Sequence, residues 1–82
     1  MNYDIVVPAT ADGALVVTIV SWLKTEGEAV AKGEDLAEAA TEKITLYIIA
    51  PADGRLKEIR VPAGGKVNVG EVIGVLTGGG GH

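Results

Sequence analysis

Gly27-x-x-Val30-x-x-Gly33-Glu34-x-Leu36 returns later in the chain as Gly64-x-x-Val67-x-x-Gly70-Glu71-x-Ile73, displaced by 37 residues at every matched position. An internal period of this length marks a repeated structural unit, and two copies are too few to stack as a solenoid. The 82 residues are instead expected to form one domain whose halves are related by a pseudo-two-fold axis. The same displacement places Trp22 on Ile59, each ending an apolar run. The repeated glycines suit turns that need positive φ, which a residue without Cβ adopts freely. A helix over residues 29–40 competes, because that stretch is rich in Ala and contains Glu, Lys and Leu. Gly33 in its middle opposes it by about 1 kcal/mol relative to Ala. The repeat opposes it further. Residues 67–76 would have to be helical too, and Val67-Asn68-Val69-Gly70-Glu71-Val72-Ile73-Gly74-Val75 is a poor helix.

In chain order, the pattern predicts a first, edge strand from Tyr3 to Val7, stopped by Pro8. A loop follows over Ala9–Ala14, with Asp12-Gly13 as its turn signal. Leu15–Leu23 reads as a long strand, then Glu26-Gly27 and Lys32-Gly33 as turns around a short strand at Val30. Leu36–Ala40 and Ile44–Ile49 read as strands meeting at a corner, and Pro51-Ala52-Asp53-Gly54 as the next turn. Arg55–Val61 alternates imperfectly, since Leu56 and Ile59 are three residues apart, and Val72–Leu76 is the last strand. The sum is an all-β domain, a closed sandwich or flattened barrel. It is assigned to residues 1–77, with residues 78–82 (Gly-Gly-Gly-Gly-His) as a flexible linker or cloning remnant.

A domain this small buries little more than about 60% of its unfolded surface. It has no Cys, so neither a disulfide nor a thiolate metal site can add to its stability. Its apolar residues, 48% of the chain, are Val, Ile, Leu and Ala with one Trp and no Phe, a core of small branched side chains. The formal charge of −4 opposes nucleic-acid binding and permits docking on a basic patch of a protein. The longest apolar run, Leu15–Leu23, is broken by Thr18 and Ser21 and is far short of a membrane span. No charged segment followed by an apolar one opens the chain, so no secretory signal is visible. A bacterial-type cytoplasm is therefore expected rather than a mitochondrial matrix.

Catalytic chemistry has little to stand on. Ser21 is the only Ser, and the only His is His82 in the tail, so no nucleophile has a base. The carboxylates are dispersed among turns, which leaves no metal cluster. Gly27–Gly33 lacks the Lys-Ser/Thr and the helix of a phosphate loop. A carrier, binder or structural module remains, rather than an enzyme.

The stretch Leu36–Ile49 breaks a local rule. Ile44, Leu46 and Ile48 alternate with Thr45, Tyr47 and Ile49, as in a strand. The reversal before it, Thr41-Glu42-Lys43, has no Gly, Pro or Asn. Such breaks tend to fall at functional or strained sites. Lys43 stands at the tip. On its chemistry alone a lysine there is a solvated charge.

Together these segments resemble a lipoyl domain, the carrier of 2-oxo acid and acetoin dehydrogenase complexes. The resemblance runs from about Ile5 to Thr77. Thr18–Glu34 is similar to the family's second strand and turns, Thr41-Glu42-Lys43-Ile44-Thr45 to its lipoylation hairpin, and Ala50–Gly54 with Gly64-x-x-Val67-x-x-Gly70 to its second half. The family fold implied is a barrel-sandwich hybrid, a flattened barrel of two four-stranded sheets with pseudo-two-fold symmetry. The resemblance implies lipoic acid amide-linked to Lys43, with Thr41, Glu42 and Ile44 as recognition residues. The amide would remove one positive charge. The implied partners are a thiamine diphosphate-dependent dehydrogenase, an acyltransferase core, a flavin-dependent dihydrolipoyl dehydrogenase and a lipoate ligase, with the isolated domain a monomer.

The sequence departs from the family at several places around this lysine. Ala40 stands where Glu is common, Glu42 replaces the usual Asp, and Ile44 sits where small residues are frequent. Val17 takes a common Gly position, and Ala9–Ala14 lacks the usual Gly-Glu pair. These changes bear on which ligase and dehydrogenase recognise the domain. A biotin carrier is the nearest alternative, but its lysine usually lies between Met residues, and Met1 is the only Met here. The glycine-cleavage lipoyl protein needs terminal helices for which there is no room. An unmodified barrel-sandwich adaptor is the third alternative.

Overall fold

A computed structural model of the protein describes residues 1–78. They form eight strands: β1 Asn2–Val6, β2 Val16–Trp22, β3 Ala29–Val30, β4 Asp35–Ala40, β5 Thr45–Ile49, β6 Gly54–Ile59, β7 Lys66–Asn68 and β8 Val72–Gly78. Two four-stranded antiparallel sheets result, in the orders β1-β8-β6-β3 and β5-β4-β2-β7. Exchanging β1 with β5, β2 with β6, β3 with β7 and β4 with β8 turns one order into the other. That is the two-fold relation expected from the repeat, and the fold is the flattened, two-sheet β-domain expected. The stretch over residues 29–40 is strand and turn, not helix.

The symmetry reaches individual bonds. Gly27 N–H donates to the Leu56 carbonyl at 2.7 Å, and Gly64 N–H to the equivalent Ile19 carbonyl at 2.6 Å. Gly27, Gly33, Gly64 and Gly70 have φ between 85° and 93°, the left-handed region where a Cβ is strained. The repeated glutamates cap their own turns: Glu34 Oε1 accepts from Ala31 N–H at 2.9 Å and Glu71 Oε1 from Asn68 N–H at 3.0 Å.

Register shifts between Ile19 and Ser21, and between Leu56 and Glu58, insert a bulge at matching points. A bulge adds one residue to a strand and resets its alternation. That is why Ile19 and Trp22, like Leu56 and Ile59, are three apart yet all face the core, which lies between the sheets. Ile5, Ile19, Leu36, Ile48, Leu56, Ile73 and Leu76 are its large fully buried members. Trp22 closes one side, its indole N–H donating to the Val61 carbonyl at 2.8 Å.

Two boundaries move. The last strand runs on through Gly78, which pairs with Gly54 and lies against the Tyr3 ring, so Gly78 belongs to the sheet and not to the tail. The tail expected over the remaining residues, 79–82, lies outside the described residues. At the corner, β5 starts at Thr45, and Ile44 belongs to the turn. Asp4–Val6 of β1, Ile49 at the end of β5 and Ala50 after it line one open groove of about 290 Å³. The two edge strands therefore approach by their C-terminal ends.

Candidate functional site

The corner between β4 and β5 has four residues, Thr41–Ile44, and its strands remain paired up to Ala40 and Thr45. Thr41 N–H donates to the Ile44 carbonyl at 2.9 Å. The Ile44 amide donates to the Thr41 hydroxyl at 3.1 Å, and so does the Lys43 amide, also at 3.1 Å. One side-chain oxygen thus gathers the amides of the turn, as Ser and Thr hydroxyls do in side-chain-mediated turns. No non-glycine residue among those described has positive φ. The corner needs no left-handed residue: the missing Gly, Pro or Asn is replaced by Thr41, whose side chain supplies the turn chemistry.

The Thr41 hydroxyl has one proton to give and two lone pairs. The lone pairs serve Lys43 and Ile44. The proton goes to Asp12 Oδ2 at 2.8 Å, across 29 residues of sequence. Asp12 sits in the loop 7–15 between β1 and β2, which comes over the corner. Its other oxygen accepts from Ala14 N–H at 3.2 Å, and the Thr10 hydroxyl accepts from the same amide at 2.8 Å. The hydroxyls of Thr10 and Thr41 hold the Asp12 carboxyl below its usual value.

Lys43 is exposed at the tip, as is Glu42, while Thr41 and Ile44 are half-buried. Among the described residues neither the Lys43 ammonium nor the Glu42 carboxylate has a hydrogen-bond or ion-pair partner. The best-paired lysine is elsewhere: Lys24 Nζ lies 2.8 Å from Glu34 and 3.5 Å from Glu28, clamping two turns. That pairing raises the Lys24 pKa, chiefly through Glu34.

Beside the corner, the outward face of the β2 sheet forms an open groove of about 410 Å³. Val16, Val20 and Ala40 line it together with Glu42 and Lys66. Leu15, in the loop, is 79% exposed. The lysine therefore stands next to an apolar surface edged by both signs of charge. Among the described residues no group of three His, Cys, Asp or Glu could hold a metal ion.

Of the four residues singled out in the sequence, the structure brings all to one corner and gives them different work. Lys43 and Glu42 face solvent, and Thr41 is committed to holding the turn. Asp12 was read only as half of a turn signal. Its link to Thr41 joins two loops distant in sequence, and no local pattern announces that.

The biotin–lipoyl family model, described as biotin-requiring enzyme, matches residues 3–76. The chain is 41% identical over 76 residues to the dihydrolipoyllysine-residue succinyltransferase component of the 2-oxoglutarate dehydrogenase complex of Rickettsia felis, covering 93% of this chain and 19% of that protein. It is 38% identical over 79 residues to the Bacillus subtilis protein of the same description, covering 96% of this chain and 19% of that one. The chain thus spans about a fifth of the length of these relatives. Among solved structures, the lipoyl domain of the 2-oxoglutarate dehydrogenase complex from Azotobacter vinelandii superposes with a TM-score of 0.74 at 36% identity, over 94% of this chain and 98% of that one.

Proposed function

The chain belongs to the biotin–lipoyl family and within it to the lipoyl domains, and on that premise we propose that it is a swinging-arm carrier bearing lipoic acid on Lys43. The observation that carries this is the Lys43 side chain, exposed and unpaired among the described residues at the tip of a turn closed by three hydrogen bonds. Amide formation needs an accessible amine, and the corner presents one. The residues fit the group: Lys43 would hold it, and nothing in the corner would have to move to admit it.

When attached, the lipoyl dithiolane supplies thiol–disulfide and acyl-transfer chemistry. The chain's own part is to position that group. The turn, held by the Thr41 hydroxyl, keeps the attachment point exposed and clear of the core. With no Cys, these 82 residues carry no thiol of their own to attack the ring.

The proposed partners are a thiamine diphosphate-dependent dehydrogenase, an acyltransferase core and a flavin-dependent dihydrolipoyl dehydrogenase, with a lipoate ligase installing the arm. The relatives named above support service in a 2-oxoglutarate dehydrogenase complex. Tethered within such an assembly, the domain would meet each partner at effective concentrations of order mM. The apolar groove and the free Glu42 carboxylate offer those partners a surface.

Intact mass after co-expression with lipoate ligase and with biotin ligase tests the proposal. One lipoyl adduct is expected on the wild type and none on Lys43→Ala. Uptake of biotin instead would make the chain a biotin carrier, and no adduct under either ligase would make it an unmodified adaptor.

A further inference from the structure

We propose that Asp12 is the positioning residue of the lysine corner: its carboxylate holds the Thr41 hydroxyl so that both hydroxyl lone pairs face the Lys43 and Ile44 amides. This deepens the lipoyl-carrier proposal and rests on it for its functional consequence.

A threonine hydroxyl is a rotor, free to point its proton anywhere a partner allows. The turn needs it in one orientation, because Thr41 Oγ accepts from Lys43 N–H and Ile44 N–H, each at 3.1 Å. Only a proton sent away from those two amides leaves both lone pairs for them. Asp12 Oδ2, at 2.8 Å, is the acceptor that takes it. A carboxylate is a stronger acceptor than water and does not exchange, so the bond is charge-assisted. The carboxylate is itself fixed, with its other oxygen on the Ala14 amide and Gly13 beside it at φ 73°. The Gly13 amide donates to the Thr10 carbonyl at 3.1 Å, closing the turn that aims Asp12.

The order of dependence runs from loop to corner. Loop 7–15 fixes Asp12, Asp12 orients the Thr41 hydroxyl, and the hydroxyl fixes the two amides flanking the Lys43 side chain. Nothing else among the described residues bonds to the Thr41 hydroxyl. Without the carboxylate the turn keeps one backbone bond, Thr41 N–H to the Ile44 carbonyl. The lysine would then be presented in a spread of directions. The enzyme that modifies it, and the partners that receive it, would meet the productive one less often.

The test uses the whole chain, ¹⁵N-labelled, as wild type, Asp12→Ala, Asp12→Asn, Thr41→Ala and the double variant Asp12→Ala/Thr41→Ala. Amide hydrogen exchange at Lys43 and Ile44 is the first readout, and the KM and kcat of lipoate ligase on each variant the second. Asp12→Ala should speed exchange at those two amides by roughly threefold to tenfold, the scale of one charge-assisted hydrogen bond. Exchange at Leu36 and Ile73 in the core should not change. The ligase KM should rise by a similar factor at nearly constant kcat. Asp12→Asn, which keeps an acceptor for the hydroxyl, should recover most of both losses. The double variant should be little worse than Thr41→Ala alone, because the two groups act as one unit.

Unchanged exchange at Lys43 and Ile44 in Asp12→Ala would overturn the proposal. So would faster exchange spread through both sheets, which would make Asp12 a general structural residue. A wild type that takes no lipoyl group would instead refute the carrier function, while the exchange data would still decide the role of Asp12.

Discussion

The corner at Thr41–Ile44 and the gap between Gly78 and Met1 are equivalent places in the two halves. Each carries the same backbone bond, Thr41 N–H to the Ile44 carbonyl at 2.9 Å and Gly78 N–H to the Met1 carbonyl at 2.6 Å. One is joined by two residues and held by a hydroxyl. The other is open, and its glycine is pressed against the Tyr3 ring. The connections beside them differ likewise. Nine residues, 7–15, link β1 to β2 and come over the lysine corner, while four, 50–53, link the equivalent β5 and β6. Where the core dictates, the halves agree down to their bulges. Where they part, the extra residues lie beside Lys43. Symmetry here is a property of packing, and the departure from it falls at the corner proposed to carry the lipoyl arm.

The sharpest way to break this comparison is to add one methyl group just after the short connection and one inside the long one. A Cβ on Gly54, after the short turn, would run into the Thr77 carbonyl. Gly54→Ala is expected to cost about 3 kcal/mol, as overpacking against backbone does, and urea unfolding should show it. Gly13, in the long loop, has nothing within 4 Å of such a Cβ but has φ 73°. Gly13→Ala should cost about 1 kcal/mol, from the left-handed backbone alone. Equal costs at the two sites would mean that the connections are equally constrained and that the contrast is false.

Acid should act more mildly, on the long loop and on the Lys24 clamp. The Thr25 amide lowers the Glu28 pKa, Lys24 lowers that of Glu34, and the hydroxyls of Thr10 and Thr41 lower that of Asp12. A lowered folded value means stability that is complete above the unfolded value, about 4, and lost as the pH falls through the folded one. Unfolding midpoints should therefore be flat from pH 7 to about 5 and fall below about 4. Lys24, raised by the same clamp, has the opposite sense: its share is present below its unfolded value and lost only at strongly alkaline pH.

The smallest effect is expected at the proposed attachment residue. Lys43→Ala should stay within about ±0.5 kcal/mol of wild type in thermal unfolding, because its side chain is exposed and unpaired among the described residues. A large drop would make the lysine a structural member of the corner.

Much of this was legible in the sequence, for physical reasons. Turns that need positive φ select Gly, so Gly27, Gly33, Gly64 and Gly70 wrote the repeat in plain view. Strand alternation showed β5, and the three-residue spacing of Leu56 and Ile59 was already the trace of a bulge, readable once Ile19 and Trp22 are seen to share it. The corner was located by what it lacked, yet its mechanism was not readable. A hydroxyl can do a glycine's work only when something orients it. That partner, Asp12, lies 29 residues away, at a distance only the folded chain closes. Gly78 was lost to the tail because a run of four glycines has no pattern to divide it. Its place in β8 is set by Gly54 and Tyr3, not by its neighbours.

The bond between Gly78 and Met1 has a consequence for engineering. The ends of the sheet meet at the distance of a closed hairpin, so a bridge of two or three residues could join them, and new termini could be cut between Glu42 and Lys43. Such a circular permutant would keep every strand pairing. If the bridge itself were Glu-Lys and the original corner were left intact, one small barrel would hold out two lysines, one from each half.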